Sequence, residues 1–200
     1  MRKTAGVIMA MAIWMQSAAA QTLQPLPSPE TTGGMPVLQA MAGRRSTRSF
    51  GDKAVDEQTL SNILWAAYGE NRADGRRTIP TALNEQDLAV YVAKSDGVWL
   101  YDAHKNALQP VAEENILPLF NRQDYMAKVP LVLIYVGSDD ERGFAAMHAG
   151  SAYQNVGLYA ASAGLADVVR GYFDHDAVGK ALNLPQGQKV IISQAVGWAE

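Results

Sequence analysis

Three arginines within five positions, Arg44, Arg45 and Arg48, are interleaved with the hydroxyls of Ser46, Thr47 and Ser49 in the run Gly-Arg-Arg-Ser-Thr-Arg-Ser-Phe at 43–50. A guanidinium presents forked donors that match phosphate oxygens, and a serine hydroxyl adds a short-range donor beside them. A solvated charged loop is the ordinary reading of such a run. This one falls between two apolar helical patterns in a chain with 17 Lys+Arg against 20 Asp+Glu, so its positive charge is local. The chemistry it suits is the holding of an anion. A second run, 78–86, places Pro80 and Thr81 in a defined turn and offers the amides of Asn84 and Gln86 as paired donors and acceptors. Arg72, Arg76 and Arg77 form a further basic loop, ordinarily just solvated, that could also steer an anionic substrate.

Other chemistries find little support. The chain has no Cys, which excludes disulfides, Cys-ligated zinc, iron–sulfur clusters and a thiol nucleophile. Its three histidines, His104, His148 and His175, lack the spacing of a metal motif, and His148 reads as a packed or interface residue. No nucleophile elbow surrounds Ser46 or Ser151, and neither a Gly-x-Gly-x-x-Gly fingerprint nor a P-loop is present. A net charge of −3 without a basic tract gives no footprint for nucleic acid. No side-chain acid, base or nucleophile stands out as catalytic.

The elements that must carry these residues can be read in order. Residues 1–20 combine Arg2-Lys3, an apolar run from Ala5 to Met15 and the small residues Ala18-Ala19-Ala20. That is the pattern of a secretory signal peptide cleaved after Ala20; the apolar run is shorter than the roughly 20 residues of a membrane span. No Cys follows it for a lipid anchor, so the expected location is periplasmic or secreted, without a stable membrane anchor. Removal of the signal leaves 15 basic residues against 20 acidic ones. Residues 21–35, with Pro25, Pro27, Pro29 and Gly33-Gly34, read as an extended leader, an arm of the kind that lies over a partner. The remaining 36–200 suit one domain.

Within that domain Pro36 opens a short helix ending near Gly43, and Asp56 caps a helix carrying Leu60, Ile63, Leu64, Ala67 and Tyr68. Strands are expected at 88–92, at 98–101 and 107–111 as a hairpin about 102–106, and at 131–136, buried on both faces. A short helix interrupted by Pro118 is expected within 113–120. Residues 141–164 form a long helix rich in Ala, Gly and Ser, suited to close packing at a centre or a dimer interface. A strand over 165–173, a short helix over 174–182 and a strand over 190–196 complete an α+β class.

These pieces occur in a recognisable order. Arg-Arg-Ser-Thr-Arg-Ser-Phe at 44–50, Pro-Thr-Ala-Leu-Asn-Glu-Gln at 80–86, Ala-Gly-Ser-Ala-Tyr-Gln-Asn at 149–155 and Ala-Gly-Leu-Ala-Asp-Val-Val-Arg-Gly at 163–171 resemble the nitroreductase family of FMN proteins. Gly-Val-Trp-Leu-Tyr-Asp at 97–102 resembles the SagB/thiazole-oxazole oxidase-type branch. The resemblance implies a nitroreductase-like sandwich with a mixed, mainly antiparallel sheet flanked by helices, an intertwined homodimer, and FMN at the interface. It assigns the FMN phosphate and ribityl region to Arg44, Arg45 and Ser46, and the N1/O2 side of the ring to Arg48. Asn84 would bond the pyrimidine edge, with Pro80 and Thr81 lining the pocket from the other subunit. Backbone groups at Arg170 and Gly171 would approach N5 and O4.

The same resemblance implies an FMN-dependent oxidoreductase in which the flavin carries the chemistry. It would pass hydride or electrons through N5 to a small nitro- or quinone-like acceptor, or take them from an oxidisable substrate. The alternative is a non-catalytic periplasmic flavin- or ligand-binding module. Two departures bear on the choice: the chain ends on acidic Glu200 where relatives commonly carry a basic residue, and an exported protein meets little NAD(P)H.

Overall fold

The structure is a computed structural model describing residues 22–139 and 141–200; the expected signal peptide at 1–20 lies outside the described residues. The central strand, β5 (Leu131–Ser138), explains the architecture. Leu131, Leu133 and Tyr135 point into one apolar cluster and Val132, Ile134 and Val136 into another, the two-residue period of a pleated strand. A strand buried on both faces needs a layer on each side. The remaining strands are β1 (Gln24–Pro25), β2 (Ala89–Lys94), β3 (Gly97–Asp102), β4 (Ala107–Ala112), β6 (Leu165–Arg170) and β7 (Gln188–Trp198). Among the described residues they form one seven-stranded sheet in the order β1-β4-β3-β2-β5-β7-β6, with every pairing antiparallel.

One face is covered by α2 (Glu57–Tyr68) and α3 (Phe144–Ala163), which bury Leu60, Ile63, Leu64, Ala152 and Val156 against the sheet. Asp56 caps α2 by accepting the Thr59 N–H at 2.7 Å, a bond that holds its carboxyl below the usual range. The side of α3 packed into the core against the sheet is Ala149, Ala152, Val156 and Ala160, small enough for close approach. Gly164 ends the helix in the left-handed conformation, φ 75°, with its N–H returning to Ala160 O. The opposite face is covered by α4 (His175–Ala181) and two short 3₁₀ turns, Leu117–Phe120 and Asp124–Lys128, around Phe120, Met126 and Phe173. The second of these turns is not foreshadowed by any pattern in the sequence.

The leader has a defined path along its own chain. It is extended, but the surface it covers belongs to its own chain: β1 pairs with β4, Leu26 is buried, and Pro27 O accepts from both Ser61 Oγ (2.6 Å) and Asn106 Nδ2 (2.8 Å). Further along, the Glu30 N–H donates to Asn62 Oδ1 at 2.8 Å and the Met35 N–H to Ser162 Oγ at 2.7 Å. The leader then enters α1 (Val37–Gly43), whose Val37, Leu38 and Met41 face outward.

Candidate functional site

The arginine run follows α1 as extended backbone stapled to the sheet. Arg44 leaves the helix at ψ 128° with its N–H on Ala40 O, and the Thr47 N–H donates to Asp167 O of β6 at 2.8 Å. Phe50 bridges to Ala199, and the Gly51 N–H reaches Trp198 O at 2.9 Å. Fixing the backbone in this way leaves the side chains available: Arg45, Ser46, Arg48 and Ser49 are exposed and Arg44 is half-buried. Among the described residues none of the three arginines forms an ion pair. Arg45 and Thr47 line a cavity of about 330 Å³ with Ala160, Gly164, Asp167 and Ala199. Arg48 and Ser49 line another of about 390 Å³ with Tyr125, Lys128 and Glu200.

Arg44 runs across α3 at Gly157, where a Cβ would stand 3.3 Å from Arg44 Cδ and 3.5 Å from Asp167 Oδ2. Glycine here is a matter of space. Asp167 is buried in β6; burial pushes its carboxyl up from the usual range, offset by a 2.9 Å bond from Gln194 Nε2 and by the charge of Arg44. Gln194 in turn accepts the Tyr135 hydroxyl at 2.7 Å and donates to Tyr153 O. A buried polar chain therefore backs the arginine run.

The second run, 80–86, sits elsewhere. Ala82–Asn84 forms a tight turn in which Leu83 (φ 52°), Asn84 (φ 56°) and, just beyond, Gln86 (φ 49°) are left-handed. Pro80 and Asn84 are exposed and Thr81 is half-buried. Gln86 Nε2 donates to Asn84 Oδ1 and to Gly75 O, both at 3.2 Å, which orients the Asn84 amide. The Ala82 N–H donates to His148 Nε2 of α3 at 2.7 Å. The two runs thus touch α3 at His148 and at Gly157, about 14 Å apart along the helix axis. Among the described residues of one chain they form two separate stations.

The third segment lies at the end of β6. Ser193 Oγ donates to Arg170 O, and the buried Arg170 guanidinium crosses to the other layer, where it donates to Phe120 O, Gln123 Oε1 and Tyr172 O at 3.1–3.2 Å. What Arg170 and Gly171 can offer a ligand is therefore main chain. Gly171 is exposed, and its carbonyl faces His175 Nε2 at 3.0 Å.

The acidic C-terminus has a definite place. Glu200 accepts from Ser49 Oγ, and that bond, followed by the charge of Lys128, holds its carboxyl below the usual range. Its negative charge is thereby committed on the Arg48 side, while Ala199, not Glu200, lines the cavity at Arg45. A larger cavity, about 650 Å³, lies between α4 and the start of β7 beside the exposed Asp139–Lys189 pair and contains none of the predicted site residues.

An FMN-type ligand fits this donor set. Unpaired guanidinium groups and an adjacent hydroxyl suit a phosphate, and Arg48 suits a ring that becomes negative on reduction. Among the described residues no cluster of three or more His, Asp or Glu side chains could hold a metal, and no helix is long and apolar enough to cross a membrane. Ser151 donates back to Met147 O inside α3, as a helix serine does, and shows no nucleophile arrangement. The sequence reads His148 as a packed or interface residue and does not single out Asp87, Asp167 or Gln194. For Asp167, Gln194 and His148 the available signal is polarity inside apolar, periodic segments; Asp87 ends the polar run 84–87 and carries none.

Comparison with known proteins gives concordant results. The family model described as "Nitroreductase family" matches residues 41–198. A nitroreductase-like protein of Methanocaldococcus jannaschii is 30% identical over 162 residues, 72% of this chain and 82% of its own. A crystal structure of a nitroreductase-like protein from Ralstonia eutropha superposes with a TM-score of 0.83 at 33% identity, covering 89% of this chain and 90% of that one. A chain of the E. coli microcin synthetase McbBCD complex shares the fold with a TM-score of 0.68 at 21% identity, covering 99% of this chain and 85% of that one.

Proposed function

The chain belongs to the nitroreductase family, and from that premise we propose that it is an FMN-dependent oxidoreductase, exported and active as a homodimer. The observation that carries this reading is the set of three arginines without ion pairs on a stapled extended segment, backed by Gly157 and Asp167. Arg44, Arg45 and Ser46 hold the phosphate and ribityl region and Arg48 faces N1 and O2. Asn84 bonds the pyrimidine edge beside Pro80 and Thr81, and the main chain at Arg170–Gly171 meets N5 and O4. Bound FMN supplies reversible hydride or electron transfer at N5, so the protein contributes orientation and charge. The reaction partner would be a nitro- or quinone-like acceptor, or an oxidisable donor. The 97–102 segment supports placement in the SagB/thiazole-oxazole oxidase-type branch.

The separation of the two stations supports the homodimer. Packing α3 against its two-fold copy in antiparallel sense brings the Gly157 end of one helix toward the His148 end of the other. The outer side of α3 suits this, with Met147, Gly150, Ser151, Gln154 and Ala161 exposed or half-buried. Exposed Leu38 (75%) and Leu83 (83%) flank the two stations and gain burial in such a pair. For the expected periplasmic or secreted enzyme, the electron donor is one other than cytosolic NAD(P)H, or turnover runs in the oxidase direction.

The visible absorption spectrum of the purified chain, before and after FMN addition and desalting, tests the proposal. Retained flavin bands that bleach on chemical reduction and return with a quinone or nitroaromatic are the expected result. A spectrum that stays flat after incubation with FMN overturns it, and retained flavin without turnover leaves a binding module.

A further inference from the structure

We propose that His148, held by Asp87, is the positioning residue that sets the Thr81–Gln86 turn in the shape that presents Asn84 to the flavin. This rests on the flavin reading above and adds residues to which neither the family motifs nor the comparisons give a role. The hydrogen bonds determine the state of the ring. Because Nε2 accepts the Ala82 N–H at 2.7 Å, it carries no proton, so Nδ1 does and donates to Asp87 Oδ1 at 2.5 Å. The His148 side chain is buried and that of Asp87 nearly so, which largely shields the bonds from water.

The turn requires an outside hold. Three of its residues, Leu83, Asn84 and Gln86, adopt the left-handed conformation without being glycine. Leu83 is 83% exposed, so its own packing does not sustain that conformation. Inside the turn the backbone closes only the Asn84 N–H to Thr81 O and Glu85 N–H to Ala82 O bonds, at 3.1 and 3.0 Å. Among the described residues, two side-chain links tie the turn to the region of α3. One is surface-exposed, Glu85 with Arg142 at 2.6 and 3.0 Å, and the other is the buried Ala82–His148–Asp87 chain. The buried one acts on the backbone itself, two residues before Asn84. Asp87 closes the loop covalently on the far side, immediately before buried Leu88, so the pair grips the turn at both ends. Its second oxygen, Oδ2, is buried without a partner, as are Arg77 Nε and Tyr68 OH, and Arg77 lies 5.0 Å over the Tyr68 ring.

The test uses the full chain with three substitutions. His148→Phe fills the space and removes the acceptor, His148→Gln restores a carbonyl acceptor at the Nε2 position, and Asp87→Leu removes the support behind it. Three quantities are read: amide hydrogen exchange at Ala82 without flavin, the FMN dissociation constant, and the melting temperature. His148→Phe and Asp87→Leu should raise Ala82 exchange and weaken FMN by about tenfold, beyond any change at the core amides of β5 and β7, while His148→Gln recovers most of both. Unchanged Ala82 protection in His148→Phe overturns the proposal. So does an exposed Ala82 amide with unaltered FMN affinity, or a Gln variant no better than the Phe variant. If the wild-type chain itself takes up no FMN, the flavin reading fails on its own, and the exchange measurement still decides whether the pair sets the turn.

Discussion

The two stations on α3 solve opposite problems. At the arginine run the main chain is bonded to β6, β7 and Ala199 through Thr47, Gly51 and Phe50, which leaves Arg45 and Arg48 exposed while Arg44 lies along α3 at Gly157. At the 80–86 turn the main chain is left-handed and weakly bonded to itself, and buried side chains from α3 and Asp87 hold it in place. The first station uses backbone to free side chains, while the second uses side chains to fix backbone. On the flavin reading proposed above, the difference reflects what each would offer: forked, charged donors suit a phosphate, and one amide at a fixed angle suits the edge of a flat ring.

The sharpest way to break this comparison is to place the stations in different subunits. Arg44→Glu chains lose the phosphate station and Asn84→Asp chains lose the ring-edge station, so each alone should lose most of its flavin. After unfolding and random reassociation, half the dimers pair one of each and hold one intact site, giving about a quarter of the wild-type flavin. A site formed within one chain regains nothing on mixing.

Next in size is the salt dependence. Arg44→Ala removes a charge-assisted contact and should weaken FMN by about 1.5–3 kcal/mol at low salt, a gap that narrows as salt screens the remaining charges. Asn84→Ala removes a neutral bond and should cost about 0.5–1.5 kcal/mol, independent of salt. Titration calorimetry at two ionic strengths separates them, and equal salt slopes would dissolve the distinction between the stations.

How much of this could be read from residues alone differs in the same way. The capped helix at 57–68, the hairpin about 102–106 and the doubly buried strand at 131–138 were legible because apolar period, cap and turn are local properties. The arginine run was legible by type and spacing. The His148–Asp87 pair was not, since its members are 61 residues apart and each taken singly is an ordinary polar residue. The leader's path was half legible: its prolines announce extension, but only β4 and Asn106 determine that it lies on its own chain. Asp167 was hidden inside an apolar strand, and its partners Arg44 and Gln194 come from opposite ends of the sequence.

Asp167 gives a further prediction, confined to the arginine station. Burial raises its carboxyl, so the folded chain keeps a proton that the unfolded chain releases. The stability this contributes is fully present below the ordinary carboxylate range and is lost as pH rises through the raised value, at up to about 1.4 kcal/mol per pH unit. Asp167→Asn has no proton to lose, so its melting temperature should gain on wild type from acid toward neutral pH. Parallel melting curves across that window would mean that the carboxyl titrates alike in the two states.

The smallest effect separates stability from binding. Replacing Gly157 by Ala improves helix propensity by up to about 1 kcal/mol, so the melting temperature should rise slightly. The new methyl would stand 3.3 and 3.4 Å from Arg44 Cδ and Cγ, tight enough that the stem must shift by a few tenths of an ångström. Arg44 is half-buried, and its stem can move outward, so the fold tolerates the change. The guanidinium moves with the stem, and FMN affinity should fall a few-fold as stability rises. Stability and affinity rising together would show that the groove at Gly157 does not aim Arg44. Opposite signs would show that glycine is kept there for the ligand, at the expense of the helix.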